Sequence, residues 1–168
     1  MIKTDLDPKI KIMSFKKAAV WRNKLRQSGK KLVITNGCFD ILHRGHAEYL
    51  ARSRKCGDAL LIAINSDASV RAIKGKSRPI VCENDRAYLL ASLIYVDAVV
   101  IFSTPRCTEL FLALKPDIYV KGGDYNIDNI DKEEKAALLS VGAKIKFIKF
   151  IPGLSTTEIL KKITAPAV

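Results

Sequence analysis

No apolar run in this sequence approaches the ~18 residues needed to cross a bilayer. Its first residues, Met1 to Lys11, mix lysine and aspartate with isolated apolar side chains and hold nothing like the apolar centre of an export signal. A cytoplasmic location without a membrane partner is therefore expected. Cysteine is scarce. Cys38, Cys56, Cys82 and Cys107 form no Cys-x-x-Cys pair and match no zinc-module spacing, so free thiols are expected. Histidine is scarcer: His43 and His46 are the only two in 168 residues. Acidic residues are outnumbered, 17 against 29 lysines and arginines, for a formal charge of +12. A basic field attracts phosphate, on nucleic acid or on a small polyanion such as a nucleoside triphosphate. The basic residues are spread along the chain, densest from Lys74 to Arg78, without the aromatic–basic interleaving that stacks single strands. Nucleic acid is thus not the expected partner, and much of the charge reads as solvated surface.

Hydrophobic residues make up 48% of the chain, enough for the core of one domain at this length. Strand-like and helix-like segments alternate, which predicts an α/β fold, a Rossmann-like parallel five-stranded sheet with helices on both faces. Strands are expected at 31–35, 59–64, 98–102, 118–120 and 144–147, the last with the alternation of a half-exposed edge. Helices are expected from Ser14 to Gln27, from Gly45 to before Gly57, after an Asn84 cap with Ala87, Leu90, Ala91 and Ile94 on one face, after Thr104-Pro105, after Asp131, and from Ser155 to Ile163. Asp131 with Glu134 and Ser155 with Glu158 have capping-box spacing. Between Lys74 and Pro79 a basic loop is expected.

Four segments carry chemistry. In the strand-to-helix turn from Gly37 to His46, the two histidines lie three residues apart and share one face of a first helical turn. Free amides and the positive end of the helix dipole favour phosphate there, and Gly45 leaves room for its approach. Paired imidazoles could stabilise the charge that builds on an α-phosphate during transfer. A His-x-x-His pair also suits a metal, but no third ligand is evident. Ser155-Thr156-Thr157 can cap a helix and also seat phosphate. Lys74, Lys76 and Arg78 form a basic loop able to fold over an anion, or a solvated one. In Lys121-Gly122-Gly123-Asp124, the glycines permit close backbone approach, and Asp124 either binds a sugar hydroxyl or caps a turn.

Gly37-Cys38-Phe39-Asp40 followed by His43-Arg44-Gly45-His46 resembles the signature of the cytidylyltransferase-like nucleotidyltransferases. Asn65-Ser66-Asp67, Ser77-Arg78-Pro79, Val120 to Tyr125 and Ser155-Thr156-Thr157 extend the likeness, across Lys31 to Ile163, to the adenylyltransferases of ADP-heptose biosynthesis. The resemblance implies that ATP and D-glycero-β-D-manno-heptose 1-phosphate give ADP-heptose, a precursor of the lipopolysaccharide inner core, and pyrophosphate. It implies Mg²⁺ held mainly by phosphates rather than side chains, a homodimer, and a separate heptose kinase upstream. Residues 1–30 would be a helical extension packed on a nucleotidyltransferase domain at 31–168. His43, His46 and Lys74 would be catalytic. Thr35, Asn36, Gly37, Cys38, Phe39, Asp40, Gly45, Arg86, Gly122, Asp124, Ser155, Thr156 and Thr157 would bind nucleotide. Asn65, Asp67, Lys74, Arg78, Lys121 and Gly123 would bind the acceptor. Phe150 stands where glycerol-3-phosphate cytidylyltransferases carry an arginine, which argues against that relative. The alternative is a related cytidylyl- or adenylyltransferase acting on glycerol 3-phosphate or FMN.

Overall fold

A computed structural model describes residues 7–123, 126–149 and 155–164. Five strands, β1 (Leu32–Gly37), β2 (Ala59–Asn65), β3 (Ala98–Phe102), β4 (Ile118–Gly122) and β5 (Lys144–Ile148), form one parallel sheet in the order β3-β2-β1-β4-β5. The chain steps outward from β1 to β3, then returns to place β4 on the other side of β1. Strand order therefore reverses between β1 and β4, and a crevice opens beyond their carboxyl ends.

The strands are apolar runs because helices cover both faces. Leu32, Ile34, Leu61, Val100 and Tyr119 pack with Ala18 of α1 (Phe15–Gln27), Phe111 and Leu114 of α5 (Thr108–Leu114) and Leu138 of α6 (Lys132–Ser140). The alternate residues Val33, Leu60, Ile62, Ile64 and Val120 pack with Tyr49 and Leu50 of α2 (Arg44–Arg54) and Ala87 and Leu90 of α4 (Glu83–Ala91). Every residue of β2 is buried, whereas edge strand β5 leaves Lys144, Lys146 and Phe147 exposed. The fold class and the five strands agree with the sequence expectation.

Local chemistry sets the helix ends. Ser14 caps α1 by accepting the Lys17 amide, and Gly29, at φ +68°, closes it with Lys30 N–H donating to the Leu25 carbonyl. α1 is fastened to the sheet by Arg22, which is buried, donates to the Leu114 and Lys115 carbonyls and pairs with Asp117 at 2.9 Å. Ahead of it, a 3₁₀ turn (Pro8–Lys11) leads to Ile12, which bridges the free edge of β3 at Val99.

Several boundaries differ from expectation. Lys74 is not in a loop but ends α3 (Asp67–Lys74), a helix capped by Ser66 and closed by Gly75 at φ +95°. α4 starts after Cys82, not Asn84, and ends at Ala91, so Ile94 falls beyond its apolar face and is 86% exposed. Thr104-Pro105 is a turn in which Thr104 Oγ1 donates to the Arg106 carbonyl, and α5 begins only at Thr108. Asp131 accepts the Glu133 and Glu134 amides, but Glu134 does not reach back to complete a box.

Arg22→Met should lower the unfolding free energy by about 2–3 kcal/mol in urea titrations, because the Leu114, Lys30 and Lys115 carbonyls and the Asp117 carboxylate lose its donors. A loss below about 0.5 kcal/mol would show that α1 is held by apolar packing alone.

Candidate active site

The crevice between β1 and β4 has a volume of ≈ 620 Å³. This is the size of a small-ligand site. Its wall is built by Asn36 and Gly37 at the end of β1 and Cys38, Phe39 and Asp40 after it, Asn65 at the end of β2, Lys74 and Arg78, Lys121 and Gly122 at the end of β4, His46 on α2, and Thr156 and Thr157 at the start of α7 (Thr156–Thr164). Two helix N-termini, those of α2 and α7, thus meet at one cavity and bring positive dipole ends to it.

The motif turn has a physical logic. Phe39 sits in the left-handed region at φ 48°. A Cβ on Gly37 would lie 3.1 Å from the Phe39 ring, so glycine there lets the ring fold back. The ring in turn lies 5.2 Å from that of His46 and tilted to it. His43 and His46 stack with centroids 3.9 Å apart.

His43 is itself the cap of α2. Its Nδ1 accepts the Gly45 amide at 3.1 Å, and its carbonyl accepts the His46 amide at 2.9 Å. The helix start therefore offers fewer free amides than the sequence implied. In compensation, the Gly45 bond fixes the tautomer. With Nδ1 accepting, neutral His43 carries its proton on Nε2, as a donor. His46 Nδ1 is buried and has no hydrogen-bond partner among the described residues. Burial, followed by repulsion from His43, pushes His46 down to about 4, and burial also lowers His43. Both rings are neutral donors at pH 7.

Two residues anchor the turn. Asp40 Oδ1 accepts the Ile80 and Val81 amides, and Oδ2 pairs with Arg78 at 2.6 Å. Asp40 and Arg78 line the cavity, but each is the other's partner. Arg86, expected at phosphate, is not brought to the cavity wall. Its guanidinium is 1% exposed and donates to the Val81, Cys38 and Asn65 carbonyls and to Asp67 at 2.7 Å. Asp67 is thereby engaged as well, with Arg86. Thr35 is also away from the wall: it is buried on Tyr49, whose hydroxyl donates to the Val120 carbonyl. Burial pushes the Cys38 thiol up, opposed by Lys74 and Arg86, so it stays protonated.

Sequence reasoning missed Glu134. Read there as a cap, it is buried in the cavity wall, accepting from Asn36 Nδ2 at 3.2 Å and from the Cys107 amide, with Lys121 Nζ 3.9 Å away. Asn36 Oδ1 accepts from Tyr119 at 2.6 Å and Lys121 at 3.2 Å. This network holds Lys121 at the mouth of β4. No signal in the local sequence marks it, since Asn36 and Glu134 are 98 positions apart. Gly123, at φ +99°, continues from β4, and Gly45 is buried in the first turn of α2. Ser155 accepts the Glu158 amide and so caps α7. Asp124 lies outside the described residues. Among the described residues, no three His, Cys, Asp or Glu side chains converge as a metal cluster.

In proton NMR titrations of the ligand-free chain, His46 should stay neutral down to about pH 4, and His43 should titrate below its ordinary value. Because the folded pKa is depressed, the unfolded chain binds more protons below about 6.5, and this group's stability contribution is lost as pH falls through about 4. A His46 titrating at or above 6.5 would contradict the buried geometry.

The cytidylyltransferase-like family pattern matches residues 34–162. The bifunctional protein HldE of Pelobacter propionicus is 43% identical over 160 residues, which is 95% of this chain and 32% of that protein. HldE of Geotalea uraniireducens is 45% identical over 159 residues, again 95% of this chain and 32% of that one. This chain spans about a third of the length of the curated relatives it matches. Among solved structures, the lipopolysaccharide core biosynthesis protein from Thermoplasma volcanium aligns with a TM-score of 0.61 and 32% identity, over 73% of this chain and 98% of that one. Pantoate-beta-alanine ligase from Francisella tularensis, in complex with beta-gamma ATP and beta-alanine, shares the fold at a TM-score of 0.57 and 15% identity, over 90% of this chain and 76% of that one. With the signature turn, the strand order and a match over most of its length, the chain belongs to the cytidylyltransferase-like family.

Proposed function

We propose that this chain transfers AMP from ATP to D-glycero-β-D-manno-heptose 1-phosphate, forming ADP-heptose and releasing pyrophosphate. The carrying observation is His46 on the wall of a cavity that also receives the start of α7, with Lys74 and Lys121 on the same wall and with His43, itself outside that wall, stacked on His46. The nucleotidyl-transfer class follows from that site chemistry. The acceptor is taken from the HldE relatives and from the structure titled for lipopolysaccharide core biosynthesis.

In this reaction a phosphate oxygen of the sugar 1-phosphate attacks the α-phosphorus of ATP. The bond from that phosphorus to the α–β bridging oxygen breaks, and pyrophosphate leaves with the electron pair. The Nε2–H of His43 and the ring of His46 donate to the α-phosphate oxygens, whose charge grows in the transition state. Neutral donors suit this step, since they need no proton uptake at pH 7. Thr156 and Thr157, at the start of α7, hold the β- and γ-phosphates with Lys74. Lys121, kept in place by Asn36 and Glu134, meets the acceptor phosphate. Mg²⁺ would enter on the triphosphate and offset its charge. The donor set fits that mode, because the wall carboxylates Asp40 and Glu134 are already engaged by protein donors. ATP as substrate places the reaction in the cytoplasm, the acceptor requires a sugar kinase upstream, and the expected assembly is a homodimer.

Purified chain should release pyrophosphate from ATP only when heptose 1-phosphate is added, and not from CTP or with glycerol 3-phosphate or FMN. His43→Ala/His46→Ala should lower kcat/KM by about 10³-fold or more (~10³-fold being the scale of lost oxyanion donors), while the variant still folds at pH 7.5, destabilised by about 1–2 kcal/mol through loss of the His43 cap. Full activity in that double variant would refute the mechanism. Activity with another nucleotide and acceptor pair would refute the substrate assignment alone.

A further inference from the structure

The charge of this protein is not evenly distributed, contrary to the impression left by its lysines and arginines alone. The acids are what is uneven. From Pro8 to Phe39 there are nine basic residues and no aspartate or glutamate, so this fifth of the chain holds +9 of the formal +12. Only Arg22 among those nine forms an ion pair in the described residues, with Asp117. The segment contains the 3₁₀ turn and α1, and a groove of ≈ 460 Å³ runs between them. Its floor is Ile10, Met13, Val20 and Trp21, and four lysines, Lys16 and Lys17 among them, rim it. Ile10 and Val20 are 52% and 54% exposed, although they are aliphatic. Among the described residues, no aspartate or glutamate lines the groove, and it shares no residue with the nucleotide cavity.

We propose that this groove docks an acidic amphipathic helix of a partner protein, with bulky apolar side chains on the floor and carboxylates against the lysine rim. An apolar floor inside a cationic rim matches the helix-in-groove mode, in which spaced apolar anchors give affinity and flanking charge gives orientation and speed. Three other occupants fit less well. A second copy of this chain would bring its own +12 against the same field. A bilayer binds a protruding apolar face, whereas here Ala18 and Leu25 of α1 are turned into the core and the apolar surface is recessed. Nucleic acid would meet lysines, but its phosphates gain nothing from an aliphatic floor with a single aromatic ring.

Trp21 is the only tryptophan in the chain and lines the groove, so its emission reports occupancy directly. The probe is a synthetic helical peptide without tryptophan, with leucine and phenylalanine at i and i+4 and glutamate at flanking positions, titrated into the full chain. The expected result is a saturable blue shift, with affinity reduced about tenfold or more by Val20→Glu and by Lys16→Glu/Lys17→Glu, and with pyrophosphate release unchanged in both variants. All three substituted positions are exposed, so the variants should fold. Equal binding by a peptide with serine in place of leucine and phenylalanine would overturn the proposal, as would undiminished binding to Val20→Glu. A Trp21 shift produced by phosphatidylserine vesicles or single-stranded RNA, but not by the peptide, would overturn it in favour of that occupant.

Discussion

Arg86 lies at 1% exposure and gives its donors to three carbonyls, those of Cys38, Asn65 and Val81, and to the Asp67 carboxylate. Those acceptors come from the turn after β1, the end of β2, the loop before α4 and the first turn of α3. A guanidinium that far from water must keep its partners, since a buried charge without them is strongly destabilising. Four segments that meet at the catalytic crevice are therefore held to a common point. Asp40 adds a second tie, binding the Ile80 and Val81 amides and Arg78 to the same turn. Strain at Phe39 is tolerable in a turn fixed from both sides, and Phe39 is what positions His46.

This rigidity bears on the electrostatics. The chain is strongly basic, yet its two histidines rest neutral. Burial withholds the proton from His46, and His43 uses Nδ1 to hold the Gly45 amide. In the proposed reaction, exposed Lys74 at the end of α3 would attract the triphosphate from a distance, while the groups offered to the reacting phosphorus would be neutral, oriented imidazoles. Preorganised donors cost no reorganisation when charge develops. Lys121 stands between these two kinds of group. It is a cation, but Asn36 and Glu134 restrain it.

The sheet and the motif turn were legible in the sequence because both are local. Val33–Ile34 and the unbroken Ala59–Ile64 run declare buried strands, and Gly37 to His46 sits where a strand gives way to a helix. What was not legible is whatever depends on partners distant in sequence. Arg86 looks like a free cation beside a basic loop, and only the fold shows three carbonyls around it. Glu134 has a cap's spacing from Asp131, yet its carboxylate is claimed by Asn36 and the Cys107 amide across the sheet end. Short α3 escaped notice because its eight residues make little more than two turns and end in the basic run that reads as a loop. Thr104-Pro105 resembles a helix start, but the threonine hydroxyl closes a turn instead. The basic groove escaped notice for another reason: a count of lysines conceals the absence of acids.

In the proposed reaction, a turn pinned by Arg86 presents two neutral imidazoles to the α-phosphate of a bound nucleotide. A crystal structure with a non-hydrolysable ATP analogue tests it most directly. The account predicts Arg86 still on the carbonyls of Cys38 and Asn65, and the α-phosphate oxygens within hydrogen-bond reach of His43 and His46. A guanidinium swung out to the phosphates, or imidazoles turned away from them, would contradict it.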